Sequence, residues 1–186
     1  SVSESEHHDL WQRATLTAAL VSGTAGVVDD AAAKLCRYVD SQFPDGVRIE
    51  IYGNEAIATP MQMHHIHLMV ADPDAAQKWY GQHFGATPGK RLTFVTGTVP
   101  GTEIALSKAE ASLAPTKGRA VDHIGFEVKN IDAFVAKLRA AGIKTDAAIR
   151  NSANASGLRI VYITDPWGTE IEITEGLNTT PLAGSK

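Results

Sequence analysis

From Met63 onward the chain runs through one order of patterns twice. His65-Ile-His-Leu-Met-Val70 alternates polar and apolar positions with the period of a half-buried strand. Asp72-Pro73 follows, an N-cap residue with proline in the first helical turn. Ala76, Trp79, Tyr80 and Phe84 then recur at helical spacing, and Gly85 stands where a helix closes. The second copy opens with His123-Ile-Gly-Phe-Glu-Val128, takes Asn130 or Asp132 as cap, carries Phe134, Val135, Leu138 and Ala141 as the apolar stripe, and closes at Gly142. Histidine and cap stand 7 residues apart both times (65 to 72, 123 to 130), and histidine and closing glycine 20 and then 19 (65 to 85, 123 to 142). Such agreement identifies a tandem module.

Short β runs follow each helix. In the first copy these are Leu92 to Gly97 and Thr102 to Lys108, with a turn at Pro100-Gly101. In the second, Asn151 to Gly157 reads as a polar loop, Leu158 to Ile163 as a strand, Asp165-Pro-Trp-Gly168 as a turn and Thr169 to Thr174 as the last strand. The predicted class is α+β, with helices outside a mixed sheet.

Ahead of the repeat, Asp29 and Asp30 precede an alanine-rich run in which Leu35, Tyr38 and Val39 have helical spacing. A turn at Pro44-Asp45-Gly46 and a strand over Val47 to Tyr52 follow. The expected organisation is an N-terminal helix-rich extension with one strand over 1–60, the repeat over 61–176 as modules of about 61–117 and 118–176, and a loose tail over 177–186.

Composition narrows the function classes. With 44% hydrophobic residues the chain can bury a core, and a net charge of -4 leaves no basic surplus for a phosphate backbone, so no nucleic-acid partner is expected. No apolar run approaches the ~18 residues needed to span a bilayer, so no membrane partner is expected. The single cysteine, Cys36, excludes an internal disulfide framework and a multi-cysteine zinc cluster, and reads as a small buried hydrophobe. The chain begins at Ser1, which leaves open a cytoplasmic location or, if a leader was removed, a periplasmic or secreted one.

Side chains alternate faces along a strand, so His65, His67 and Met69 share one face, His123, Gly125 and Glu127 another, and Glu170, Glu172 and Thr174 a third. The opposite faces are apolar and belong against the helices. Taken singly, a histidine on a strand is more often a packed or exposed residue than a ligand, and Glu172 alone reads as a solvated strand residue. The conjunction carries the signal: histidines at one place in two copies, with an acid on the final strand. If the modules curl around a common cleft, His65, His123 and Glu172 converge on a divalent metal and leave positions open. His67 faces the same cleft as a candidate general base or substrate contact. His64 points to the other face or a strand edge and takes no role. Trp79, Tyr80 and Trp167 read as core and turn packing.

As a set, His65-Ile-His-Leu-Met-Val-Ala-Asp, His123-Ile-Gly-Phe-Glu-Val and Asp165-Pro-Trp-Gly-Thr-Glu-Ile-Glu-Ile resemble the vicinal oxygen chelate superfamily over about residues 62 to 176. That group includes glyoxalase I, methylmalonyl-CoA epimerase, extradiol dioxygenases, fosfomycin-resistance enzymes and bleomycin-binding proteins. The resemblance implies two tandem βαβββ modules forming a U-shaped half-barrel cleft, with His65, His123 and Glu172 as metal ligands and Glu172 at the catalytic centre. Glyoxalase-type members take a fourth ligand, Glu or Gln, from the last strand of the first module, and Ala105 stands at that place here. Glu103 has the same facing parity and replaces it only if the register slips by two. An open three-ligand site is similar to that of extradiol dioxygenases and some epimerase-like members.

The implied function is a metal-dependent lyase, isomerase or dioxygenase acting on a small oxygenated substrate by bidentate chelation. Its ion is Zn, Ni, Co, Mn or Fe, since the donor set does not choose among them. The expected partners are a small-molecule substrate and a second copy of the chain. The alternative is a metal-free protein that sequesters a small molecule in the same cleft.

Overall fold

The computed structural model describes residues 37–42, 47–53, 56–153 and 157–177. The residues fall into two compact units, Ser1–Gln62 and Met63–Lys186. In the first, β1 (Arg37–Gln42) pairs antiparallel with β2 (Arg48–Gly53), Gln42 opposite Arg48. The strand expected at Val47 to Tyr52 is present as β2. The helix expected to run through Val39 is not, because Arg37–Gln42 gives its backbone hydrogen bonds to β2. Intrinsic helix propensity is a weak preference that such pairing overrides. The earlier part of that helix, Cys36, the turn at 44–46 and the tail beyond 177 lie outside the described residues.

The second unit is the repeat. Its first module contains β3 (His65–Val70), α1 (Pro73–Phe84), β4 (Thr87–Arg91), β5 (Phe94–Val99) and β6 (Thr102–Lys108). The second contains β7 (His123–Glu127), α2 (Ile131–Ala140), β8 (Arg150–Asn151), β9 (Arg159–Thr164) and β10 (Glu170–Glu175). The sheets run β3-β6-β5-β4 and β7-β10-β9-β8, so each places its first strand parallel to its last at one edge. The described strands of this unit thus form two open four-stranded sheets built on one topology, and neither closes into a barrel.

Both helices start at the expected caps. Asp72 Oδ1 accepts from the Ala75 N–H at 3.0 Å, and Asn130 Oδ1 from the Ala133 N–H at 2.9 Å. Gly85 takes a left-handed φ of 72° beyond α1, and Gly142 one of 79° beyond α2. The buried faces, Ala76 and Tyr80 on α1 and Ile131, Val135 and Leu138 on α2, meet the apolar faces of both sheets in one cluster. Burying each large aliphatic side chain of this set contributes about 1.5–3 kcal/mol. The modules interlock there: Phe84 lies 5.0 Å from Phe126 and 5.6 Å from Phe134 between ring centroids, and the Tyr80 hydroxyl donates to Asp165 Oδ2 at 2.7 Å. Trp79 meets Trp167 edge to face at 6.3 Å, as expected of packing residues.

Strand β4 was not expected. Pro88 and Gly89 interrupt its pattern, yet it is the outermost strand of its sheet, where a missing N–H is tolerated. Arg150 and Asn151 likewise form a short edge strand at the start of the predicted loop. Among the described residues no helix is long and apolar enough to cross a membrane.

Candidate metal centre

Because both apolar sheet faces belong to the common core, the faces carrying the histidines turn outward from it. On the second sheet, parallel pairing of β7 with β10 puts Glu172 beside Gly125 and Glu170 beside His123. Antiparallel pairing of β10 with β9 puts Tyr162 on the other side of Glu172. The His123 Nε2 and Glu172 Oε2 atoms come to 3.5 Å.

Both side chains are held from behind. His123 Nδ1 meets Asp122 Oδ1 at 2.8 Å, and Glu172 Oε1 accepts from the Tyr162 hydroxyl at 2.7 Å. Asp122 is itself anchored: Oδ2 accepts from the Gly118 N–H and its carbonyl from the Thr116 hydroxyl at 2.8 Å. The His123 bond, with the Gly118 N–H, holds the Asp122 carboxyl below the usual range. Partial burial, then the bond to the Glu172 carboxylate, pushes the Tyr162 phenol up to about 12, so it remains a proton donor at neutral pH. In the neutral Nδ1–H tautomer, with that proton toward Asp122, His123 turns a lone pair toward a carboxylate oxygen that also offers only lone pairs. Two ligands about 2.1 Å from one ion at a tetrahedral angle lie about 3.4 Å apart. The separation and the donor types therefore fit a shared cation.

The rim of this face is charged. Lys117 Nζ lies 2.8 Å from Glu170 Oε1, a bond that raises the lysine's affinity for its proton, and the Thr164 hydroxyl donates to Glu170 Oε2 at 2.9 Å. The Arg150 guanidinium sits 5.5 Å from the Tyr162 ring centre and 3.3 Å from Asp146.

The first sheet repeats the register with different residues. Parallel pairing of β3 with β6 sets Glu103 beside His65 and Ala105 beside His67, in phase with Glu170 beside His123 and Glu172 beside Gly125. Ala105 is therefore the counterpart of Glu172, and no two-residue slip brings Glu103 there. Glu103 corresponds to Glu170 and, like it, is paired with a cation, Arg91 at 2.7 Å. His67 lies between His65 (4.7 Å between centroids, edge to face) and Phe94 (4.9 Å). His64 Nδ1 meets His65 Nδ1 at 2.9 Å.

Of the sequence-predicted residues, the structure brings His123 to Glu172 and His65 to His67. Among the described residues no set of three donor atoms within 4.8 Å of one another unites His65 with His123 and Glu172. The sequence reading did not pick out Asp122 or Tyr162. An acid next to a strand histidine carried a signal, whereas Tyr162 is recognisable only once the β9–β10 register is known.

Residues 62–173 match the model of the Glyoxalase/Bleomycin resistance protein/Dioxygenase superfamily, and residues 1–51 match that of a family described only as a protein of unknown function, DUF503. No curated protein matches the chain. Among solved structures, the genomically encoded fosfomycin resistance protein FosX from Listeria monocytogenes is 19% identical, covers 63% of this chain and 95% of its own, and superposes with a TM-score of 0.53. TioX from Micromonospora sp. ML1 is 19% identical over 63% of this chain and 100% of its own (TM-score 0.51). The oxidase ChaP-H2 is 20% identical over 63% and 94% (TM-score 0.50). At these identities the likeness is one of fold.

Proposed function

We propose, from the premise that this chain belongs to the Glyoxalase/Bleomycin resistance protein/Dioxygenase superfamily, that it is a metal-dependent enzyme acting on a small substrate with adjacent oxygen atoms. The observation that carries this reading is the His123–Glu172 pair, two lone-pair donors 3.5 Å apart, each held from behind by a hydrogen bond. His65 supplies the third ligand. It comes from a second copy of the chain, since within one chain the two histidine faces look outward from a single core. A homodimer made this way holds two equivalent sites related by its twofold axis.

When bound, the ion supplies Lewis-acid polarisation of the substrate oxygens. The protein's own residues then have distinct tasks. Asp122 and Tyr162 fix the direction of His123 and Glu172. His67, two residues along the strand from His65, accepts a proton from the substrate or contacts it. Ala105, in the place of a fourth ligand, leaves a coordination position open.

A mixing experiment tests the ligand set and the dimer together. His65→Ala and Glu172→Ala chains, each metal-free alone, are unfolded, mixed in equal amounts and refolded, and their zinc content is measured. Sites shared between two copies restore about a quarter of the wild-type metal, because half the dimers are mixed and each mixed dimer holds one intact site. No recovery in the mixture, with wild-type chains binding normally, contradicts sharing. Metal below about 0.2 per chain in the tag-free wild type, unchanged in His123→Ala, favours the second reading, a metal-free small-molecule binding protein. The observation on that side is Ala105 in place of a carboxylate.

A further inference from the structure

On the outward face of the second sheet, an open groove of about 720 Å³ runs between the linker that joins the modules and the edge strand β8. Its size lies within the roughly 300–1,000 Å³ of small-molecule sites. Lys117, Asp122, Asp146, Arg150, Tyr162 and Glu170 line it. Two of these are cations, and the fold places both. Lys117 stands in a tight turn, where the Arg119 N–H bonds to the Thr116 carbonyl at 3.0 Å and Gly118 takes a left-handed φ of 74°. Arg150 pairs with Ile160, which shares the strand parity of Tyr162, and its guanidinium sits 5.5 Å from the Tyr162 ring centre. The His123 ring also lies 5.5 Å from that ring. Cation and ligand-type imidazole are thus neighbours of one aromatic side chain.

The acceptors of the groove are largely occupied, whereas its donors are not. Both oxygens of Asp122 and of Glu170, and one of Asp146, already have partners. Lysine carries three donors and arginine five. Among the described residues Lys117 directs one at Glu170, and Arg150 directs one at Asp146. Both side chains are well exposed, at 70% and 62%. Exposed ion pairs of this kind add little to stability, so the fold does not depend on holding either cation in place. We infer that this groove takes a small molecule bearing a carboxylate, held by Arg150 and Lys117 while its adjacent oxygens reach the ion at His123 and Glu172. The metal end of that pose rests on the proposed function; recognition of the carboxylate by the two cations does not. A guanidinium fork matches a carboxylate with two parallel bonds. The second charge of a phosphonate is disfavoured, because three carboxylates line the groove against two cations.

Protocatechuate, an ortho-dihydroxybenzene with a carboxylate, and its uncharged amide serve as matched probes. Their affinities are compared by calorimetry on the full chain, metal-stripped and zinc-loaded. The acid is expected to bind about 10- to 100-fold tighter than the amide in both forms. That preference shrinks in Lys117→Gln and nearly vanishes in Arg150→Gln, whereas amide affinity holds and reports an intact groove. Arg150→Lys, which keeps the charge without the fork, restores only part of it. The inference is overturned if the wild-type chain binds the acid no tighter than the amide, absence of binding included. It is also overturned if the preference survives in both Gln variants, or if the matching phosphonate binds more tightly than the carboxylate. An acid preference in the metal-stripped chain, with zinc tightening neither probe, supports the carboxylate groove and contradicts the metal reading.

Discussion

Glu172 is the residue on which the proposed metal site turns. It sits beside Gly125 and across from Tyr162, with one oxygen occupied by the tyrosine and the other turned to His123. Replacing it with glutamine keeps the shape and removes the charge, and a loss of metal affinity of at least about 100-fold is expected, read by chelator competition. Tyr162→Phe leaves the carboxylate but frees its orientation, so a smaller loss, on the order of 10-fold, is expected in the same assay. His123 and Glu172 were legible in the sequence because strand alternation and the repeat fix which face each occupies. Asp122 and Tyr162 were not. Whether a side chain reaches its neighbour depends on rotamer and on register across a turn, and neither is written in a local pattern.

At the scale of elements, the helices were the most legible features, because Asp72, Asn130, Gly85 and Gly142 mark their ends with side chains and backbone angles that few other residues supply. Strands β1 and β4 were hidden, one behind an alanine-rich run and the other behind Pro88 and Gly89. The β4–β5 connection carries a cost of its own. Arg91 pairs with Phe94, so Leu92 and Thr93 alone turn the chain, and Leu92 takes φ 54° with its side chain exposed. A left-handed conformation costs a residue with a Cβ about 1–2 kcal/mol. Leu92→Asn, which tolerates that region, is expected to stabilise the chain by up to about 1 kcal/mol in urea unfolding, with metal binding unchanged.

On α1, His83 is buried, and its Nδ1 has no partner among the described residues. Burial, and then the charge of Lys137, lower its proton affinity below the ordinary 6.5. The unfolded chain therefore binds this proton more readily than the folded one, so stability is full above about pH 6.5 and falls as the pH drops toward the lower folded value. His83→Leu should flatten that part of the stability-versus-pH curve, measured by thermal unfolding between pH 7.5 and 5.

In the repeat unit as a whole, the two modules are joined through their helices, and the Tyr80–Asp165 bond is a buried polar link between them. Asp165 Oδ1 is also engaged by the Trp167 and Thr169 N–H groups, whereas Oδ2 accepts from the Tyr80 hydroxyl. Tyr80→Phe leaves that buried oxygen without its donor and is expected to cost about 1–3 kcal/mol of unfolding free energy.

The same arrangement marks the limit of the sequence reading at this scale. Alternation says which face of a strand a residue occupies, but not whether two sheets present those faces to each other or turn them outward from a shared core. That is set by contacts such as Phe84 on Phe126 and Phe134, between residues far apart in the chain.

The central claim, that His123 and Glu172 share a divalent ion, is tested most directly by titrating tag-free, metal-stripped chain with Co(II) and following its ligand-field absorption. Saturation at about one ion per chain is expected, with a spectrum of mixed nitrogen and oxygen ligation that is lost in Glu172→Gln. A spectrum indistinguishable from free Co(II), or binding that Glu172→Gln leaves unchanged, would contradict it.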